Sequence, residues 1–166
     1  MKTVLITGGA ARIGAQIART LHENNFKIII HCNHSIEKAQ LLSDDLNSIS
    51  QDSSEVISGD LNDIESILSI VDSIDSLDLL VNNASVFYPK SVEYSEIDDW
   101  NDIINVNLRA PFFLSKGLRK KLSSSNGSII NIIDIHADRP LKNHAVYNIS
   151  KAGLKMMTQT LAKELA

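Results

Sequence analysis

Short apolar, β-branched runs that alternate with helix-periodic segments constrain the fold of this chain more than any other feature. The runs predict five strands, over residues 2–7, 26–32, 54–58, 77–81 and 128–133. Apolar residues spaced by three and four predict helices over residues 13–21, 36–46, 60–71, 100–120 and 147–165. Strands that are apolar throughout and separated by helices favour a parallel sheet covered on both faces. The sequence therefore predicts an α/β fold with a doubly wound, Rossmann-like sheet, and its 166 residues predict a single dinucleotide-binding domain over 1–166.

Composition and charge exclude several classes of protein. Hydrophobic residues make up 43% and charged residues 22% of the chain, as in ordinary globular proteins, which excludes a disordered or fibrous chain. The net charge of -4 offers no basic surface for nucleic acid, and no stretch approaches the roughly 20 apolar residues that cross a bilayer. We therefore expect no nucleic acid and no membrane partner. Cys32 cannot form an internal disulfide alone, and the N-terminus lacks a signal-peptide pattern, so the sequence predicts a cytoplasmic protein.

A glycine-rich turn separates the first strand from the first helix. It spans residues 7–14 and contains Gly8 and Gly14. In a dinucleotide-binding fold, this place presents backbone N–H groups and a helix N-terminus to pyrophosphate. Because a glycine-rich turn is weak evidence by itself, an ordinary tight turn remains the alternative.

The end of the second strand bears on which dinucleotide would bind. NAD-binding units usually carry an acid there for the ribose hydroxyls, whereas residues 31–35 contain no carboxylate, which favours NADP(H). Arg12 could donate to the 2′-phosphate, with His34 and Ser35 adding hydrogen bonds. The alternatives are a solvated cation for Arg12 and a polar loop with an N-cap serine for His34 and Ser35. Asp60 could accept from the adenine amino group or serve as an N-cap.

Tyr147 and Lys151 lie one helical turn apart, so both side chains project from one face of the last helix. An ammonium near a phenol favours the phenolate and lowers the pKa of the phenol, which would make the pair a proton donor near neutral pH. A surface tyrosine beside a surface lysine is the alternative, because this spacing is common by chance.

Taken together, the motifs resemble the short-chain dehydrogenases/reductases over nearly the whole chain, from Thr3 to Leu165. The family has a Thr-Gly turn after its first strand, Asn-Asn-Ala after its fourth, an Asn in the following helix and a Tyr-x-x-x-Lys pair. The matching residues here are Thr7 with Gly8, Asn82 to Ala84, Asn107, and Tyr147 with Lys151.

Three departures from the general family pattern resemble its pteridine reductases. Arg12 replaces the middle glycine of the turn, Ser85 replaces the glycine after Asn-Asn-Ala, and Asp134 replaces the usual serine 13 positions before the tyrosine. Residues 85–89 and 134–141 also resemble that subgroup, whereas many relatives carry arginine where His34 stands.

The resemblance implies NADPH-dependent reduction of a pterin C=N bond, in a dihydrobiopterin or dihydrofolate type of substrate. Tyr147 would supply or relay a proton to the ring nitrogen, and Lys151 would hold the nicotinamide ribose. Asp134 would hydrogen-bond Tyr147 and assist protonation, for which it must be partly protonated. Burial would raise the pKa of Asp134 and Lys151 would lower it, and the sequence does not decide which effect is larger. The alternative is that Asp134 serves only as a helix N-cap.

Further roles follow from the same resemblance. Phe87 would stack on the pterin, unless it is a core residue. Asn107 would have a structural and proton-relay role in mid-helix, unless it is only a helix-facing polar residue. Arg12 and Ser85 would contact pterin or phosphate, and no metal is expected because the histidines lack ligand spacing. The remaining residues implied to bind cofactor are Gly8, Ile13, Gly14, Leu61, Asn83, Ala84 and Tyr147.

In the family, a further strand, a substrate-covering loop and a last strand with a helix follow the Tyr/Lys helix, so we expect this sheet to lack the family's last strands. The resemblance also implies a homo-tetramer built through the helices over residues 100–120 and 147–165. Two other functions stay open. One is a 3-oxoacyl or other carbonyl reductase, which would use serine where this chain has Asp134. The other is a catalytically silent nucleotide-binding module.

Overall fold

The computed structural model describes residues 1–165 and contains a five-stranded sheet with helices on both faces. The strands are β1 (Lys2–Ile6), β2 (Phe26–Cys32), β3 (Ser54–Ser58), β4 (Leu79–Asn82) and β5 (Ser128–Asn131). The helices are α1 (Arg12–Glu23), α2 (Ile36–Ile49), α3 (Ile64–Ser73), α4 (Ile97–Ile104), α5 (Ala110–Ser124) and α6 (Ala145–Glu164). The predicted α/β class, with a Rossmann-like parallel sheet, is confirmed.

The strand order is β3-β2-β1-β4-β5, and every pairing is parallel. The chain builds outward from β1 to β3 and then returns to place β4 on the other side of β1. In such a sheet the loops after β1 and β4 diverge to opposite faces, which opens a crevice at their carboxyl ends. The glycine turn follows β1, and the Asn-Asn-Ala segment begins at the end of β4, so both lie at this crevice.

Alternating side chains of the central strands fill two separate cores. Leu5 of β1 and Leu80 of β4 pack on one face with α3 and α5. Val4 and Ile6 of β1 face the other side and pack with α1 and α2. Both cores are aliphatic and fully buried at their centres, so the sheet is held rigidly beneath the crevice.

Two predicted helices differ from the structure. The predicted continuous helix over residues 100–120 is interrupted by a π-helical turn at Asn105–Arg109. Pro111 has no N–H, so the Asn107 carbonyl four residues earlier lacks its α-helical partner. The Ala110 N–H donates to the Asn105 carbonyl, five residues back, which is the π-helical pattern. The helix predicted from Asp60 begins at Ile64, because the Asp63 carboxylate accepts the N–H groups of the first turn.

The β5 strand forms one edge of the sheet. A groove of about 1000 Å³ lies beside it, between the C-terminal halves of α5 and α6 and away from the crevice. Across residues 1–165, no helix is both long enough and apolar enough to cross a membrane.

Candidate active site

Thr7 and Asn83 join the glycine turn to the segment after β4. The Thr7 hydroxyl accepts the N–H groups of Asn83 at 3.0 Å and Ala84 at 3.1 Å. In return, the Asn83 amide donates to the Thr7 carbonyl at 2.9 Å and to the Gly8 carbonyl at 3.1 Å. These four hydrogen bonds hold the two loops of the crevice together.

The turn needs glycine at two positions for different reasons. Gly8 has φ +61, a left-handed conformation that glycine adopts without a Cβ clash. A Cβ on Gly14 would lie 2.3 Å from the Gly8 carbonyl oxygen and 2.7 Å from the Asn83 side-chain nitrogen. Gly14 therefore lets the start of α1 approach the turn closely, as a phosphate-binding helix must.

A cleft of about 540 Å³ runs along the crevice from the glycine turn to the loop after β3. It gathers most of the residues predicted to bind the cofactor, whereas Ser35, Tyr147 and Lys151 are not among its lining residues in the part of the chain described. Of the predicted residues, those that line the cleft are Gly8, Arg12, Ile13, Gly14, His34, Asp60, Leu61, Asn83, Ala84 and Ser85.

The predicted adenine and phosphate contacts have distinct local settings. Arg12 holds φ +49 at the start of α1, a left-handed backbone that is uncommon outside glycine and that places its side chain at the cleft. Ser35 precedes α2 but makes no side-chain capping bond among the residues described, so the alternative role as a capping serine is not supported. The N-cap alternative for Asp60 is wrong: its carboxylate accepts the Asn62 N–H at 2.9 Å, and Asp63 caps α3.

Tyr147 and Asp134 form the central contact of the candidate catalytic group. The Tyr147 hydroxyl donates to Oδ2 of Asp134 at 2.8 Å, and Oδ1 of the same carboxylate accepts the His136 N–H at 2.9 Å. Asp134 thus caps the short 3₁₀ turn Ile135–Ala137 and contacts the phenol at the same time. The predicted hydrogen bond to Tyr147 and the N-cap role of Asp134 therefore occur together.

The pKa directions of this pair reverse two expectations. The His136 N–H holds the pKa of Asp134 below its ordinary value, against the opposing effect of burial, with smaller contributions from Tyr147, His136 and Lys151. The expectation that Asp134 is partly protonated is therefore wrong. Burial, followed by the hydrogen bond and the charge of Asp134, raises the pKa of Tyr147, which Ser85 opposes. The prediction that the nearby ammonium leaves the phenol with a lowered pKa is therefore wrong, because burial and the carboxylate dominate.

Lys151 is only 3% exposed and lies beneath the phenol. Its ammonium donates to the Ile132 carbonyl at 3.1 Å and lies 5.7 Å from the centre of the Tyr147 ring. Burial lowers the pKa of Lys151, and the negative charge of Asp134 opposes that shift. Lysine, tyrosine and aspartate thus form one cluster at the carboxyl end of the sheet.

Asn107 lies in the π-helical turn and is fully buried. Its side-chain oxygen accepts the Val86 N–H at 2.7 Å, while its amide donates to the Val86 carbonyl at 3.0 Å and to the Ser150 hydroxyl at 3.1 Å. The side chain therefore fixes the loop after β4 against α6, which is the structural part of its predicted role. The relay part stays a prediction.

Phe87 is 55% exposed, so the core alternative for this residue is wrong. Its ring stacks on His144 with centroids 4.7 Å apart and 14° between the planes, and it meets the Tyr147 ring at 4.7 Å and 74°. An aromatic surface therefore lies directly beside the candidate proton donor.

Sequence reasoning missed His31, a buried cleft residue that hydrogen-bonds the backbone on both sides. The signal in the sequence is that His31 is a polar residue directly after the apolar run of β2, where a buried side chain needs hydrogen-bond partners.

A parallel sheet with a glycine turn at its switch point, together with a clustered Tyr, Lys and acid, defines a nucleotide-dependent oxidoreductase. The family profile described as short chain dehydrogenase matches residues 2–166, and the chain belongs to that family. An uncharacterized oxidoreductase of Staphylococcus aureus (strain USA300) is 30% identical over 170 residues, covering 99% of this chain and 72% of the relative. The 3-oxoacyl-[acyl-carrier-protein] reductase of Rickettsia bellii (strain RML369-C) is 34% identical over 166 residues, covering 99% of this chain and 67% of the relative.

Proposed function

We propose that this oxidoreductase reduces a pterin of the dihydrobiopterin or dihydrofolate type at the expense of NADPH. The observation that carries the proposal is the Asp134 carboxylate bonded to Tyr147, in place of a serine hydroxyl. A carboxylate whose pKa is lowered is ionised at neutral pH and can only accept hydrogen bonds.

The charge of Asp134 supports a nitrogen-rich substrate. An ionised carboxylate repels a ketone oxygen, whose negative charge grows as hydride arrives, whereas it attracts the N–H groups along the edge of a pterin ring. The exposed ring of Phe87 beside Tyr147 would stack on the flat ring system. In this proposal Asp134 orients the substrate through accepted hydrogen bonds and does not donate a proton itself.

Tyr147 would supply the proton that the reduced C=N bond needs at nitrogen. A raised pKa keeps its hydroxyl protonated at neutral pH. The hydroxyl donates to Asp134 and would turn to the ring nitrogen when a pterin binds. The Lys151 ammonium, 5.7 Å from the ring centre, would stabilise the phenolate left after transfer. Such general acid catalysis contributes about 10² to 10⁴ in rate.

The residues of the cleft fit a nicotinamide dinucleotide, because Gly8 and Gly14 keep the turn free of a Cβ at two positions beside the start of α1. When bound, the reduced nicotinamide supplies the hydride. Arg12, His34 and Ser35 would favour the 2′-phosphate of NADPH, since residues 31–35 bring no carboxylate to repel it. Lys151 would hold the nicotinamide ribose.

For assembly and location we propose what the family resemblance implies. The chain would form a homo-tetramer through the outer faces of α4, α5 and α6, where Trp100, Phe112, Ile149 and Met156 are exposed. A reducing cytoplasm suits the buried free thiol of Cys32.

Reduction of a 3-oxoacyl thioester is the second candidate, and the similarity to the Rickettsia reductase favours it. Asp134 argues against it for the electrostatic reason above. A direct comparison decides between the two: oxidation of NADPH is followed by absorbance with dihydrobiopterin, dihydrofolate or a 3-oxoacyl thioester. Turnover with a dihydropterin that is lost in Tyr147→Phe supports the proposal. Turnover with the thioester alone overturns it, and cofactor binding without any turnover indicates a silent module.

A further inference from the structure

His31 is a buried side chain of the cleft that the proposed chemistry does not use. It lies near the end of β2, paired with Ile57 of β3, and is only 2% exposed. A histidine enclosed this completely is costly unless both ring nitrogens have partners, so its contacts define what it can do.

Both ring nitrogens meet backbone groups, and those groups fix the position of the ring proton. The Gly8 N–H donates to Nδ1 at 3.3 Å, so Nδ1 carries no proton. Nε2 lies 3.1 Å from the Gly59 carbonyl, which can only accept, so Nε2 carries the proton. An imidazolium would place two N–H groups face to face at Gly8. The fold therefore selects one neutral tautomer, in agreement with the burial that lowers the pKa of His31 to about 4 against the opposing effects of the Gly59 carbonyl and Asp60.

The two glycines belong to the two loops that face each other across the nucleotide end of the cleft. Gly8 is the left-handed glycine of the turn, and its neighbour Gly9 donates to the His31 carbonyl at 2.9 Å. Gly59 directly precedes Asp60, and its N–H donates to the Cys32 carbonyl at 3.0 Å. The ring of His31 thus links the two loops in addition to these backbone hydrogen bonds.

We propose that His31 is a positioning residue for the cofactor: as the Nε2-protonated tautomer it ties Gly8 to Gly59 and so sets the spacing between the pyrophosphate turn and the adenine-side loop. The proposal rests on the proposed function in one respect, that a nicotinamide dinucleotide binds in this cleft. His31 itself touches no reacting atom and acts through the backbone of the two loops.

Equilibrium binding of NADP⁺ and NADPH to the full chain tests this role, measured by titration calorimetry. His31→Leu removes both hydrogen bonds and is expected to weaken binding about tenfold. His31→Asn keeps an acceptor near the position of Nδ1 but has no donor at the position of Nε2 for the Gly59 carbonyl, so it is expected to recover only part of the affinity. His22→Leu is the matched control, because His22 is another buried histidine, bonded to Ser53 at 2.7 Å outside the cleft lining. It is expected to lower thermal stability and leave affinity unchanged.

Ring ¹⁵N shifts of His31 in the cofactor-free protein give a second, independent readout. A protonated Nε2 and a bare Nδ1 are expected near neutral pH. A ring protonated on Nδ1 overturns the proposal, as does unchanged affinity in a folded His31→Leu. If His31→Leu does not fold, affinity in His31→Asn and His31→Gln is compared with that of the unsubstituted chain, because each amide can replace only one of the two hydrogen bonds. Unchanged affinity in both variants overturns the proposal.

The outcome also separates this inference from the proposed reaction. If the unsubstituted chain binds neither dinucleotide, the proposed function fails and the role of His31 fails with it. If it binds dinucleotide in a His31-dependent way but reduces no pterin, the role of His31 stands and the proposed reaction is refuted.

Discussion

The Tyr147 hydroxyl donates to Oδ2 of Asp134 across 2.8 Å. The phenol therefore has a carboxylate partner, which a site made of tyrosine and lysine alone would lack. The carboxylate is held ionised by the His136 N–H, and together with burial it keeps the phenol neutral. Before a substrate binds, Tyr147 is therefore protonated and Asp134 is negatively charged. Substrates that offer N–H groups suit this arrangement better than those that offer only an oxygen.

Replacing Asp134 by serine tests the role of that charge. In Asp134→Ser the carboxylate no longer raises the pKa of Tyr147, so the phenol becomes a stronger acid. Any carbonyl reduction should therefore be faster near neutral pH, and its fall in alkaline solution should begin at a lower pH. Reduction of dihydropterins should fall about 100-fold as the accepted substrate hydrogen bonds are lost. Steady-state rates over a range of pH measure both effects.

Asp138→Ser is the matched control for that variant, because Asp138 is exposed on the same loop and pairs with Lys155 at 2.6 Å. It should retain the rates and the pH profile of the unsubstituted protein. An equal loss of dihydropterin reduction in both variants would contradict a specific role for Asp134.

Removing the Tyr147 hydroxyl should abolish turnover without affecting cofactor affinity. Tyr147→Phe keeps the ring that contacts Phe87 and loses only the proton donor, so kcat should fall about 10² to 10⁴-fold. The dissociation constant for NADPH, from calorimetry, should stay within about twofold of the unsubstituted value, because this side chain does not line the nucleotide cleft within the described chain. A variant that keeps its kcat would show that the proton comes from elsewhere.

Much of the fold, and only part of the site, could be predicted from the sequence. The strands were predictable because each contains a short apolar run flanked by polar or turn-forming residues. The π-helical turn was not, since apolar spacing continues through it and only Pro111 disturbs the backbone pattern. The pKa direction of Tyr147 was predicted from Lys151, one turn away, whereas Asp134 acts more strongly from 13 residues away, through a contact that only the folded chain creates.

The π-helical turn gives a prediction about stability. Asn107→Leu removes three hydrogen bonds and leaves the Val86 backbone groups and the Ser150 hydroxyl with a buried apolar neighbour. The free energy of unfolding in urea should fall by about 3 kcal/mol, since an unpaired buried polar group costs about 1 to 3 kcal/mol. Asn101→Leu, at an exposed position of α4, should change it by less than about 0.5 kcal/mol. Equal effects of the two substitutions would refute the anchoring role.

His31 makes stability depend on pH in a defined window. Its pKa is lowered from an ordinary 6.5 to about 4 in the folded chain, chiefly by burial, with Asp60 the charged group that opposes the shift. Between these values the unfolded chain binds more protons than the folded one, so stability is fully present above 6.5 and is lost as the pH falls through about 4. The shift corresponds to about 3 kcal/mol.

Urea unfolding between pH 7 and 4 should show a steeper loss of unfolding free energy in the unsubstituted protein than in His31→Asn, which has no titrating ring. Parallel curves for the two proteins would mean that His31 is not held neutral by the fold.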